Sequence, residues 1–240
     1  MQAGSPPAIV SPAPAIVSAS PAAAPRAGAW IAVPRPWSTA KWLAQHDAYV
    51  ARARQGHIDV LFLGDSITEN FAKRGKDAWD REIVPLGSVA DFGISGDRTQ
   101  FVLWRAKNGE LDGTGARVVV LMIGTNNLAS ATPEHVARGV AAIVDTVRSK
   151  LPQAIIVLNA LLPRGAPGDP VRANLADVNA RIAALADGKH VRWLDAGAGF
   201  LGPDGTIAGT LMPDKLHPSA AGYEVWAAAL RPVLLDALSK

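Results

Sequence analysis

The sequence predicts an α/β fold of three layers, α/β/α, built around a five-stranded parallel sheet. Three observations carry that prediction. Five short apolar runs, at 58–63, 89–92, 118–123, 154–161 and 191–194, have strand length and no polar alternation. Helical patterns separate most of them. The chain, at 240 residues, suits one large α/β domain or two small ones. Strands apolar on both faces, separated by helices, belong to a parallel sheet covered on both sides.

Each element has its own signal. Residues 39–54 place Trp42, Leu43, His46, Tyr49 and Val50 at helical spacing. The first strand run ends in Gly64 and the third in Gly124. Between the third and fourth runs lies the clearest helix, with Thr132 as N-cap, Pro133 in the first turn, and Val136, Val140, Ile143, Val144 and Val147 on one face. Residues 170–187 and 219–238 form two more helices, the last expected to kink or break at Pro232. Trp79 and Trp104 fall at spacings that pack helix faces on the sheet.

Residues 1–29 differ from the rest. They are rich in Pro, Ala and Ser, carry one charge (Arg26), and repeat Pro7-Ala-Ile-Val-Ser11 as Pro14-Ala-Ile-Val-Ser18. Proline this dense prevents helix and disfavours sheet pairing, so a disordered or polyproline-like tether is expected there, ahead of one catalytic domain at 30–240. The segment lacks the basic start and unbroken apolar core of a signal peptide. Such tethers also follow removed leaders, so a periplasmic or secreted location is the expectation and a cytoplasmic one the alternative.

Composition excludes several classes of function. The absence of cysteine rules out a disulfide scaffold, a thiol nucleophile and a zinc–thiolate site. Lys and Arg number 24 against 21 Asp and Glu, and acids interrupt every basic stretch, so no nucleic-acid footprint exists. No apolar stretch approaches the roughly 20 residues of a membrane span. His46, His57, His135 and His190 are scattered without metal-ligand spacing and read as structural or solvent-facing; no metal or cofactor is expected.

Right-handed crossovers place all strand C-termini along one edge, where such sheets put their sites. Unusual residues follow those ends: Gly64-Asp65-Ser66-Ile67-Thr68, Gly93-Ile94-Ser95-Gly96-Asp97, Gly124-Thr125-Asn126-Asn127 and, near the C-terminus, Asp214-Lys215-Leu216-His217-Pro218. Singly, each reads as a turn, a helix cap or a surface ion pair. Together they supply the parts of nucleophilic catalysis. A serine hydroxyl needs a base, and His217, held off the αR region by Pro218, is the candidate. Asp214 can hold the imidazole and stabilise the imidazolium. The backbone N–H groups of Ser66 and Gly96 and the side-chain amide of Asn126 suit a developing oxyanion. The G-x-S-x-G elbow and the phosphate-binding glycine motifs are absent.

At these residues the sequence resembles the SGNH (GDSL-type) hydrolase superfamily, whose four letters fall on Ser66, Gly96, Asn126 and His217. Within it, the chain is similar to the platelet-activating factor acetylhydrolase catalytic subunits and their bacterial relatives. That similarity runs through Trp42 to Val50, Phe92 to Asp97, Val102-Leu-Trp-Arg-Ala-Lys-Asn-Gly-Glu-Leu111, Leu161-Leu-Pro-Arg-Gly165 with Pro170 and Arg172, and Val178-Asn179, and covers roughly residues 39–238. The resemblance implies a flavodoxin-like fold, a metal-free Ser-His-Asp mechanism and an acyl-enzyme on Ser66. It also implies a small acyl-ester substrate, such as an acetylated carbohydrate or lipid, and pairing into a homodimer. Ser95, where the acetylhydrolases often carry Gly, and Asn127, where many members have Asp, leave the substrate open. Asp65, Asp97 and Arg164 are candidate substrate contacts, with a structural ion pair the alternative for Arg164. The expected activity is removal of short acyl groups, acetyl first; a longer-chain lysophospholipase or thioesterase and a non-catalytic binding module are the rivals.

Overall fold

The computed structural model describes Met1 and residues 28–240, so the expected tether lies almost wholly outside the described residues. The chain runs α1 (Thr39–Arg54), β1 (Val60–Gly64), α2 (Ser66–Glu69), α3 (Lys76–Ala78, continued by a π-helical turn to Ile83), β2 (Val89–Gly93) and α4 (Thr99–Arg105). It continues through β3 (Val118–Met122), α5 (Pro133–Lys150), β4 (Ile155–Asn159), α6 (Pro170–Ala183), β5 (Val191–Leu194) and α7 (Ala220–Leu238). All five strands are parallel, in the order β2-β1-β3-β4-β5. This is the three-layer α/β/α architecture the sequence predicts, with each strand within two residues of its expected ends.

The strands are apolar throughout because both faces are covered. On one side Leu61, Leu63, Val119, Leu121, Ile156 and Leu158 pack against α1, α4, α5 and α6. On the other, Val60, Phe62, Val118, Val120 and Val157 meet α3 and α7. Trp79 is buried in this second layer against Phe62 and Phe71, whereas Trp104 lies half-buried against Trp42 and His46.

Two expectations are corrected. The helix at 170–187 stops at Ala183. Helix α7 is not broken at Pro232, which lies inside one continuous helix. The ring removes the hydrogen bond to the carbonyl of Ala228, but Ala228 is exposed and water can take that carbonyl, while Leu230, Leu234 and Ala237 pin the turns on either side to the core.

The chain leaves β1 for β2 on one side and later enters β3 on the other. That reversal opens a crevice at the C-terminal ends of β1 and β3, where ligands bind in open α/β sheets.

Candidate active site

Ser66 is the first residue of α2, directly after β1. Asp65 caps this short helix, its Oδ1 accepting from the Ile67 N–H at 3.0 Å. The helix presses on the end of β2: a Cβ on Gly93 would lie 2.2 Å from the Glu69 nitrogen, so only glycine fits there. Behind it, the Asn70 amide donates to the Ser66 carbonyl at 2.7 Å and the Tyr223 hydroxyl to the Ile67 carbonyl at 2.7 Å, which ties the helix to α7.

The loop before α7 reaches this point from the other end of the chain. His217 Nε2 lies 3.0 Å from Ser66 Oγ, and His217 Nδ1 lies 2.6 Å from Asp214 Oδ2. The second Asp214 oxygen accepts from the backbone N–H groups of Leu216 (3.0 Å) and His217 (2.7 Å). Partial burial disfavours the charge on Asp214, but those hydrogen bonds and the imidazole outweigh it and bring its pKa down to about 2. The carboxylate is therefore ionised above about pH 2.

At the same end of the sheet, after β2, lies the turn Ile94–Asp97, closed by the Asp97 N–H donating to the Ile94 carbonyl at 3.1 Å, with Gly96 at φ +81°. The Asn126 amide, in the helical turn after β3, donates one N–H to the Asp97 carbonyl at 2.9 Å. Ser66, Gly96, Asn126, Asp214 and His217 thus gather at one end of the sheet from four distant segments.

The structure places the Asp65 and Asp97 side chains inside the protein rather than on the crevice wall. Asp97 is wholly buried, accepting from Trp42 Nε1 and Arg105 Nε, both at 2.8 Å. Asp65 is 2% exposed, and burial pushes its carboxyl up to about 7 against the pull of the Ile67 N–H and Arg164. Both side chains turn into the protein because their positions need internal acceptors. Arg164 is half-buried and donates to the carbonyl (3.0 Å) and hydroxyl (3.2 Å) of Thr125, beside Asn126; it makes no ion pair among the described residues.

Sequence reasoning assigned no structural role to Glu69, Arg105 or Asn127. Glu69 accepts from the Ser95 N–H at 2.7 Å and from its hydroxyl, joining the turn to the Ser66 helix. Arg105 is fully buried and contacts Asp97, Glu110 and the carbonyls of Phe92 and Gly64. Asn127 accepts from the Thr99 N–H and donates to Gln100. The one available signal was charge within otherwise apolar surroundings, as at Arg105.

The family described as GDSL-like lipase/acylhydrolase matches residues 62–225. The chain is 39% identical over 201 residues to the human platelet-activating factor acetylhydrolase IB subunit alpha1, covering 83% of this chain and 85% of that protein. Among solved structures it resembles a GDSL-like lipase from Bacteroides thetaiotaomicron (TM-score 0.66, 18% identity, 82% of this chain and 97% of the other). It also resembles a catalytic mutant of an acetylxylan esterase from Geobacillus stearothermophilus (TM-score 0.60, 19% identity, 75% and 94%). A family match over most of the chain and the acetylhydrolase identity lead to one conclusion: this chain belongs to the GDSL-like lipase/acylhydrolase family and is a carboxylic ester hydrolase.

Proposed function

We propose that this protein removes short acyl groups, acetyl foremost, from ester substrates through an acyl-enzyme on Ser66. The supporting observation is the hydrogen-bonded line from Ser66 Oγ through His217 to Asp214. His217 takes the Ser66 proton as the oxygen attacks the ester carbonyl, then gives it to the departing alcohol. Water, deprotonated by the same imidazole, releases the acid and restores Ser66. Asp214 holds the ring and balances the imidazolium. The N–H groups of Ser66 and Gly96 and the Asn126 amide receive the carbonyl oxygen as it becomes an oxyanion. The acetyl preference rests on the acetylhydrolase relative; an acetylated carbohydrate or lipid is the substrate class we assign.

The test is hydrolysis of p-nitrophenyl acetate, butyrate, octanoate and palmitate, with Ser66→Ala as the blank. Rates that fall steeply after acetate and vanish in the variant are expected. A maximum at octanoate or beyond would replace the acetyl reading with a lipase or thioesterase. Activity retained in a folded Ser66→Ala variant would move the nucleophile elsewhere.

A further inference from the structure

Ser95 and Gly96 share one peptide unit, and in a trans peptide the carbonyl and the N–H point in opposite directions. Whatever grips the Ser95 carbonyl therefore aims the Gly96 N–H. Here the grip comes from Arg35, whose Nη1 donates to that carbonyl at 2.7 Å. Its guanidinium also lies 4.0 Å from Asp97 Oδ1, and the side chain is only 13% exposed.

The orientation is one of two that the turn allows. A φ of +81° at Gly96, third residue of a turn closed from Asp97 to Ile94, is the type II form. The type I form of the same turn rotates the central peptide by roughly 150–170°, which would send the N–H the other way and put a carbonyl in its place. Ser95 is exposed and its own packing would not prevent that flip. Glu69 fixes the preceding N–H of Ser95, and Arg35 fixes the carbonyl. A cationic donor on the carbonyl also polarises the amide and strengthens its N–H as a donor.

Arg35 lies outside the family match, on the segment 28–38 that crosses the molecule before α1. That segment has a built seat. The Thr99 hydroxyl donates to the Ala29 carbonyl at 2.7 Å, and the Val33 N–H to the Gln100 carbonyl at 3.3 Å. Trp30 lies 4.0 Å from the Arg138 guanidinium. On α5, a Cβ at Gly139 would stand 2.5 Å from the Ala29 carbonyl oxygen, so the helix is notched where the strap crosses. Trp37 packs edge-on against Phe101, with the Arg35 guanidinium 5.2 Å from its ring.

We propose that Arg35 is a positioning residue for ester hydrolysis, and that the strap 28–38 is the part of the fold that delivers it. By holding the Ser95 carbonyl it keeps the Gly96 N–H aimed at the oxyanion. This rests on the oxyanion role proposed above for Gly96.

The experiment compares full-length wild type with Arg35→Met, Arg35→Lys, Gly139→Ala and Ser66→Ala. Its readouts are kcat and KM on p-nitrophenyl acetate, inhibition by a small boronic acid that forms a tetrahedral adduct with serine, and thermal melting. Losing an oxyanion donor outright costs on the order of 100- to 1,000-fold, so misaiming one in Arg35→Met should lower kcat by about 10- to 100-fold. KM should change less than about threefold, and boronate affinity should fall in parallel with kcat/KM. Arg35→Lys, a charged donor, should recover much of the loss. A Cβ at Gly139 would press on both the Ala29 carbonyl and the Thr99 side chain that holds it, so Gly139→Ala improves helix propensity yet unseats the strap, and should lower kcat in the same direction. A wild-type kcat in Arg35→Met would overturn the inference, as would a raised KM at unchanged kcat, or a Lys variant no better than the Met variant. Those results leave the hydrolase reading intact. Wild type without any Ser66-dependent hydrolysis would remove that reading and this inference with it.

Discussion

Asp214 is more than half exposed, yet its ionisation is tightly controlled. Three hydrogen bonds to its two oxygens keep it charged down to about pH 2. The proposed base works only when neutral, so activity should fall toward acid pH, with no separate step from Asp214 above about pH 3. A rate independent of pH from about 5 to 9 would contradict a histidine base. Asp214→Asn keeps an acceptor for the backbone N–H groups but loses the charge opposite the imidazolium. We expect kcat to fall on the order of 100- to 10,000-fold with little change in melting temperature. Steady-state kinetics on p-nitrophenyl acetate, with a thermal melt on the same sample, checks both. The pairing of Ser66, His217 and Asp214 was legible in the sequence because nucleophilic chemistry demands those residue types. The internal duties of Asp65 and Asp97 were not, because burial is a property of neighbours distant in the chain.

Among the elements, α2 combines a weak helix with a demanding position. It has four residues, and its Asp65 cap is buried. Burial raises the Asp65 carboxyl to about 7 in the folded protein, above the ordinary unfolded value of about 3.9. The folded state thus holds the proton more tightly between those values, so this group's contribution to stability is complete below about pH 4 and is lost as pH rises through about 7. Asp65→Asn keeps a cap acceptor and carries no charge. Its stability relative to wild type should improve between pH 5 and pH 8, measured by urea unfolding at both; an unchanged difference would show that Asp65 does not titrate there. Strands β1, β3 and β4 were readable as unbroken apolar runs of strand length, and helix α5 from its one clean period. Helix α4 was not, for a physical reason: Thr99, Gln100, Phe101, Val102, Leu103 and Arg105 are all buried. A helix covered by the sheet on one side and the strap on the other has no polar stripe to announce it.

Across the whole molecule, one buried cation joins the layers. Arg105 on α4 donates to the carbonyls at the ends of β1 (Gly64) and β2 (Phe92) and pairs with Asp97 and Glu110, while Glu110 also meets His46 on α1. Trp42 of α1 completes the cluster through Asp97. Removing the cation leaves buried carboxylates uncompensated, so Arg105→Met should destabilise the protein by about 3–5 kcal/mol. Arg105→Lys should also destabilise, because an ammonium cannot reproduce the fork that meets four acceptors. Denaturant unfolding of both variants checks this; a loss under about 1 kcal/mol would mean the network relaxes around the missing group. Asp97 also supplies the carbonyl that holds the Asn126 amide, so the same variants should lose activity beyond what their folded fraction explains.

By itself, the sequence determined the layer architecture, the number and direction of the strands, and the four segments whose chemistry meets at the strand ends. These follow from local period and from the one-sided geometry of parallel crossovers, both written in consecutive residues. Tertiary structure alone decided which polar groups face the crevice and which face inward. It made Asp97 and Asp65 internal, fastened the Ser66 helix to the Gly96 turn through Glu69, and brought Arg35 from the N-terminal strap onto the Ser95 carbonyl. Those contacts join residues from 26 to 60 positions apart, and a hydrogen bond within about 3 Å between such partners depends on how the layers pack rather than on any local pattern.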